Sequence, residues 1–331
     1  MATEGHDTLQ RDGLAVRKER LYGRLLAACA ALTLLVTAGI VLALLGQTIV
    51  FFGEVSIVGY LTGTDWTPLI GEASYGVLPL VTGTLLVTVV SAVIALPTGL
   101  AIAIYLSEYA TARTRAVLKP TLEILAGVPT VIYGYFALVY LTPLLNEVFP
   151  TRIGLIPAGV PVLPEYTFVV PSLRTFNVLS GGVVVGLIII PMVSSISEDA
   201  LSSVPDSLRE AAYGLGSTKF DVSTKVVVPA ATSGIVSSYV LALSRAIGET
   251  MAVTIAVGSS PQMPDLGNVL VNLTQENQTI TAAMVQIAGA ESLGGVTYES
   301  MFALGMTLFV LTLGMNVVAE LVRRRYREEY D

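Results

Sequence analysis

Residues 210–229 read EAAYGLGSTKFDVSTKVVVP, a charged island that runs into an apolar segment at 226–264 and follows another at 175–197. The earlier segment holds no Asp, Glu, Lys or Arg, and the later one holds only Arg245 and Glu249. Within the island, Ser207 followed three residues later by Glu210 forms a capping box that starts a short helix. Gly216, free to take a left-handed conformation, ends it. Thr218 then caps a second helix through Phe220 and Lys225, and Pro229 suits the first turn of the apolar helix that follows. Two short helices with a sharp glycine turn make a knob rigid enough to transmit a push.

Outward from this knob the chain is too apolar for one water-soluble core. Its 331 residues are 53% hydrophobic and 13% charged, with a mean hydropathy of +0.73. Six stretches, 25–53, 73–107, 124–146, 175–197, 226–264 and 300–319, each meet the roughly 18–20 apolar residues that a spanning helix needs. Richness in Leu, Val, Ala and Gly without period-two alternation argues for helices and against a transmembrane barrel. The expected fold class is therefore an all-α membrane protein with six transmembrane helices, at about 25–47, 76–107, 120–146, 178–197, 229–257 and 301–321. The first run, 29 residues free of charge, exceeds the h-region of a signal peptide and reads as a retained helix. Pro97 is expected to kink the second helix. Pro120 starts the third, where Gly127, Pro129 and Gly134 let the helix open locally.

Cations fix the orientation. Arg11, Arg17, Lys18, Arg20 and Arg24 precede helix 1, and Arg113, Arg115 and Lys119 lie between helices 2 and 3. Arg209, Lys219 and Lys225 lie between helices 4 and 5, and Arg323, Arg324, Arg325 and Arg327 follow helix 6. Fifteen of the 18 Lys and Arg thus fall on one side, which places both termini and the Glu210 knob in the cytoplasm. The expected organisation is a cytoplasmic tail at 1–23, a first spanning helix at 24–52 and an outer or interfacial loop at 53–75. A five-helix transmembrane domain at 76–321, with its cytoplasmic loop at 198–228, and a basic tail at 322–331 complete it. Trp66 and Tyr60 suit an interfacial position. Residues 280–290, ITAAMVQIAGA, are too short to span and read as a piece dipping back into the membrane. A net charge of −7, with acids gathered on the outer loops, is one way to stay soluble in high salt and points to a halophilic archaeal or bacterial source.

Several chemistries are excluded. Cys29 and His6 are the only residues of their kinds, so no intrachain disulfide, thiolate cluster, zinc or haem site is expected. Gly214, Gly216, Ser217, Thr218 and Lys219 superficially suggest a phosphate loop, but G-x-x-x-x-G-K-[ST] occurs nowhere, so this chain does not bind ATP by that route. No metal, no nucleic acid and no catalytic residue is expected. Asn272 and Asn277 open glycosylation sequons, read as chance occurrences in a polar loop.

Arg245 and Glu249 stand inside the fifth apolar run, four residues apart and so on one helix face. A charge within a span is unfavourable by at least ~2.5 kcal/mol, so the two are expected to be paired and to face inward. Arginine's planar fork suits an oxyanion, since it bonds two oxygens at once. An ion pair that only fixes helix packing is the alternative.

The spacing of Glu210-Ala211-Ala212, Gly216 and Pro229 resembles the EAA loop of ABC importer permeases, with Val226 and Val228 in place of the commoner Ile and Leu. In SRAIGETMAV, 244–253, R-A-x-G-E-T-M-A-V is similar to phosphate-specific permeases of the PstC type, whereas sulfate and molybdate permeases tend to follow Gly-Glu with Phe-Gly. Further matches are GTLL at 83–86, AGVPTVIYG at 126–134 and FALGMTLFVLTLGMN at 302–316, so the resemblance covers about 76–320. Pro129-Thr130 stands where the family usually has Pro-Ser. The resemblance implies the type I ABC importer permease fold, and half of a phosphate pathway with Ser244, Arg245, Glu249 and Thr250 along it. It implies coupling to a separate ATPase through Glu210, Ala211, Ala212 and Gly216, with Phe220 as an apolar plug. The partners implied are a PstA-type permease, a PstB-type ATPase dimer that binds Mg-ATP, a phosphate-binding protein and membrane lipids, at the cell membrane. This chain itself is then a non-catalytic subunit that binds no cofactor. Import of sulfate, molybdate or phosphonate, or ion-coupled secondary transport, are the other readings open at this point.

Overall fold

A computed structural model describes residues 13–69, 71–148, 152–154, 167–169, 172–290 and 294–325. Helix α1, Gly13–Glu54, is 42 residues long, about 63 Å at 1.5 Å per residue. It begins well inside the expected tail, because Arg17, Lys18, Glu19 and Arg20 are strong helix formers and nothing between Gly13 and Gly23 breaks the helix. Residues 1–12 lie outside the described residues. A short helix α2, Ile57–Thr62, and a ribbon of β1, Trp66–Thr67, with β2, Ser74–Tyr75, fill the expected loop. Trp66 and Tyr60 are buried there, in one cluster with Phe51, Leu80, Ile280 and Leu304. Their rings pack edge-on against Tyr75 and Phe51, which removes them from the surface.

Helix α3, Leu78–Ile104, runs uninterrupted through Pro97 and ends in a π-helical turn, Tyr105–Tyr109. The third helix departs from expectation. Helix α4, Ala112–Ala126, carries Pro120 in its interior and buries none of its residues. The spanning segment starts only after a break at 127–129, as α5, Thr130–Phe136, a π turn at Ala137–Leu141, and α6, Thr142–Val148. Thr111 caps α4 early through the Thr114 amide, and Pro129 forces an extended backbone on the residue before it. A second small ribbon pairs β3, Arg152–Gly154, with β4, Thr167–Val169.

Helix α7, Val178–Ser202, is capped by Asn177 through the Ser180 amide at 2.7 Å. After it come α8, Asp206–Gly214, α9, Lys219–Val222, a π turn at Ser223–Val227 and α10, Val228–Ala230. The fifth expected span is α11, Thr232–Ile247, bent by 72° from the preceding helical stretch at Ala231. It breaks again before α12, Met251–Ala256. A small helix α13, Val269–Thr274, and the apolar α14, Ile280–Gly289, precede α15, Gly295–Arg325. Among the described residues five helices are thus long and apolar enough to cross a membrane, or six when the bent pair is counted as one span.

The bundle centres on α3 and α7. Val87 and Ala95 of α3, Val185, Ile189 and Val193 of α7, Ala242 and Ala246 of α11, and Val253 and Val257 form one buried cluster. Gly83 marks a close approach of helix to backbone. A Cβ there would lie 2.3 Å from the Gln278 carbonyl oxygen, so only glycine lets α3 meet the strand of chain that leads into α14. Asn277, one of the two sequon asparagines, is 4% exposed and its amide is bonded to both backbone groups of Gln262, which removes it as a glycosylation acceptor.

Candidate functional site

Two sites follow from this framework, a knob and a charged cavity. The knob is α8 and α9. Helix α8 starts directly after Pro205, whose extended backbone stands at the cap position, so Ser207 already lies inside the helix and the expected capping box with Glu210 does not form. Gly216 takes φ +84° and turns the chain, as its position demands. The Thr218 hydroxyl accepts from the Asp221 amide at 3.2 Å and caps α9. Lys225, 2.6 Å away, and the Thr218 hydroxyl hold the Asp221 carboxyl below the usual range.

Ala212 faces inward, in a cluster with Leu201, Val222 and Val227. Glu210 and Ala211 face out, and Leu215 and Phe220 are 89% and 66% exposed. Two large apolar side chains are thus uncovered at the sharp turn. Arg209 ties the knob to the bundle. Its guanidinium donates to the carbonyls of Leu201 and Val204 and pairs with Glu108, at the end of the α3 turn, at 3.1 Å. Glu108 is 6% exposed and Arg209 14% exposed.

The cavity, about 450 Å³, lies between α4, α7 and α11. Arg245 lines it with Lys119, Glu123 and Glu198. Glu198 is completely buried, and both Arg115 and Lys119 of α4 pair with it, Lys119 at 2.7 Å. Ser202 adds a hydrogen bond to the same carboxylate at 3.2 Å. Among the described residues neither Arg245 nor Glu123 has a hydrogen-bond or ion-pair partner.

The expected Arg245–Glu249 pair is absent. The helix leaves its regular path at Gly248, where the Glu249 amide bonds the Ala246 carbonyl three residues back, so a four-residue offset no longer puts both side chains on one face. Glu249 is 7% exposed. Its carboxylate accepts from the Ala252 amide at 3.4 Å, and its carbonyl accepts from the Thr281 hydroxyl at 2.8 Å, which pins the break to α14. The Ser244 hydroxyl donates to Asn316 of α15 at 3.1 Å, and the Thr250 hydroxyl to the Gly248 carbonyl at 3.2 Å. Of the four residues expected along a pathway, Arg245 alone lines the charged cavity. Arg115, Lys119, Glu198, Glu108 and Arg209 were counted in the sequence only as orientation charges or not at all. A usable signal existed, since Arg115 and Lys119 are four apart on one helix face and Glu198 directly ends a charge-free run.

The pattern of the family described as binding-protein-dependent transport system inner membrane component matches residues 95–328. The phosphate transport system permease protein PstC of Xylella fastidiosa is 32% identical over 326 residues, 95% of this chain and 93% of that protein. PstC of Mesorhizobium japonicum is 32% identical over 301 residues, 90% and 88% of the two chains. The Bacillus subtilis protein named "Probable ABC transporter permease protein YqgH", a name that carries no substrate, is 31% identical over 297 residues, 89% and 87% of the two chains. Among solved structures, a bacterial alginate ABC transporter in complex with its alginate-bound periplasmic protein aligns with a TM-score of 0.59, at 14% identity over 95% of this chain and 97% of the other. At that identity the likeness establishes the fold, that of type I ABC importer permeases.

Proposed function

The chain belongs to the family of binding-protein-dependent transport system inner membrane components, and from that premise we propose that it forms one half of an ATP-driven phosphate pathway. It is a multi-pass membrane permease subunit of an ABC importer, and the rest is our reading of its sites. The observation that carries phosphate is Arg245, an unpaired guanidinium at a helix break, lining a cavity inside a chain whose relatives at 32% identity are phosphate permeases. Arg245 is exposed to the cavity, and an unpaired guanidinium there can meet a tetrahedral oxyanion with two parallel N–H groups on two oxygens.

Glu249, Ser244 and Thr250 support this site as its frame. Their bonds to Ala252, Asn316 and Gly248 hold the break that leaves Arg245 free of an intrahelical partner. On the cytoplasmic side, the exposed Glu210, Ala211, Leu215 and Phe220 form the face that seats in a partner ATPase, with Gly216 fixing the turn. Mg-ATP binds in that partner. A second permease of the PstA type, a PstB-type ATPase dimer and a phosphate-binding protein complete the assembly. The cation distribution supports cytoplasmic termini, and the acidic outer loops support a halophilic source.

The test is ATP-dependent uptake of labelled phosphate by the reconstituted importer, comparing the native chain with Arg245→Gln at equal amounts of assembled complex. Uptake is expected to fall at least a hundredfold, the loss of one charge-assisted anion contact of about 3 kcal/mol, while the ATPase still copurifies. Native uptake by the variant overturns the role of Arg245. Transport of sulfate or molybdate but not phosphate by the native complex overturns the substrate.

A further inference from the structure

The knob, α4 and the Arg245 cavity are joined by charges that the phosphate reading does not use. Helix α4 buries no residue. It is flanked by extended backbone on both sides, at Ala110 and Thr111 before it and at Pro129 after it. Such a helix has extended backbone at each end and only Leu122 as a partly buried apolar contact in the cavity wall. What holds it on the bundle is Glu198, completely buried on α7, whose carboxylate takes Arg115 and Lys119. Lys119 also reaches Asp199 at 3.0 Å, and Arg115 reaches the Ser202 hydroxyl at 2.9 Å. The cavity that Arg245 lines has Lys119, Leu122, Glu123 and Ala126 of α4 as one wall. The hinge before α4 follows directly on the turn holding Glu108, which Arg209 of the knob grips.

We propose that α4 is a hinged wall of the anion cavity, latched shut on α7 by the Lys119–Glu198–Arg115 cluster, and that the Arg209–Glu108 pair carries movement of the knob to its hinge. This rests on the importer reading above and adds the gate. A buried carboxylate with two cations drawn from a separate, otherwise unburied helix is a two-position device. Seated, its desolvation is offset by two pairs. Swung away, Lys119 and Arg115 reach water, and the cavity wall opens towards the side on which the knob lies. Interfaces of this kind switch between discrete arrangements instead of deforming continuously. Glu123, unpartnered on the α4 wall of the cavity that Arg245 lines, places a like charge beside an anion held there and weakens its hold while the wall is seated.

The experiment uses the whole importer in proteoliposomes, with labelled phosphate uptake and ATP hydrolysis measured together. Lys119→Gln and Glu198→Gln are expected to assemble and to hydrolyse ATP, with phosphate moved per ATP reduced on the order of tenfold, the size of a typical coupling term. Lys119→Arg is expected to keep most of that ratio and the uncharged Lys119→Met to lose it, which a purely volumetric role would not do. Lys119→Cys with Glu198→Cys, in a Cys29→Ala background, joined by a short reducible cross-linker, is expected to lose both uptake and binding-protein-stimulated hydrolysis and to regain both on reduction. Native coupling in Lys119→Gln, or native uptake by the cross-linked pair, overturns the latch. Should Glu198→Gln fail to assemble, the cross-linked pair decides. If the native complex moves no phosphate, the substrate reading falls, and the latch is judged on binding-protein-stimulated hydrolysis alone. Suppression by the cross-link then supports it, and indifference to the cross-link overturns it.

Discussion

A single missing methyl group and a single exposed ring mark what individual residues decide in this chain. At Gly83 a Cβ would meet the Gln278 carbonyl at 2.3 Å and the Asn277 amide oxygen at 3.0 Å, and a backbone oxygen cannot swing aside. Gly83→Ala is therefore expected to destabilise the purified protein by about 1–3 kcal/mol, read as a lowered Tm in detergent. Phe220 is the opposite case. At 66% exposure it contributes little to the chain's own packing, so Phe220→Ala should change stability by less than about 0.5 kcal/mol. Docking of the ATPase should weaken by about 2 kcal/mol if the ring is the anchor of that interface, measured by copurification across a concentration series. Equal loss of Tm and docking would place Phe220 in the knob's own core instead. Both residues were visible in the sequence, Phe220 with its role and Gly83 only as part of a matching motif, because a close backbone approach between segments almost two hundred positions apart leaves no local mark.

Elements behave as units here when charges, not apolar faces, tie them together. Helix α8 rests on the bundle through Ala212 and through Arg209, whose guanidinium takes two carbonyls and Glu108. If the Arg209–Glu108 pair transmits the knob's motion, Glu108→Gln and Arg209→Gln should each uncouple uptake from hydrolysis, and the double variant should be no worse than the weaker single one. Such non-additivity, read as an interaction of about 0.5–3 kcal/mol in a double-mutant cycle, is what residues in one network show. Strict additivity would mean that the two act separately. The break in the fifth span is another property of elements. Apolar composition through 226–264 offers an unbroken helix, and Gly248 alone does not forbid one. What fixes the break is tertiary, with Thr281 on the Glu249 carbonyl and Asn316 on Ser244.

The molecule as a whole leaves its apolar surface for others to cover. The 18-residue windows that define the spans range from 0% buried in α1 to 61% in α7, so α1 meets lipid or a partner along most of its length while α7 is a true core helix. The cytoplasmic placement of both termini proposed above predicts that tags on the N and C termini are cleaved by protease in inverted vesicles and protected in intact spheroplasts. Cleavage of only one tag in either preparation would require an odd number of spans and would remove the bent pair from the count. The same assay with a tag in 259–268 should give the reverse pattern.

How much of this was legible beforehand follows from the range of the forces involved. The apolar runs, the Gly216 turn and the Thr218 cap depend on burial in a bilayer and on backbone sterics over a few residues, and the sequence by itself determined them. The separation of Arg245 from Glu249 depended on which groups were already taken by distant partners, whereas α4 starts eight residues before Pro120 on the local Thr111 cap. Glu198 shows the division most plainly. In the sequence it is one acid at the end of an apolar run, and only the packing of α4 against α7 makes it the buried anchor of two cations, because the interaction that gives it meaning joins helices about eighty residues apart.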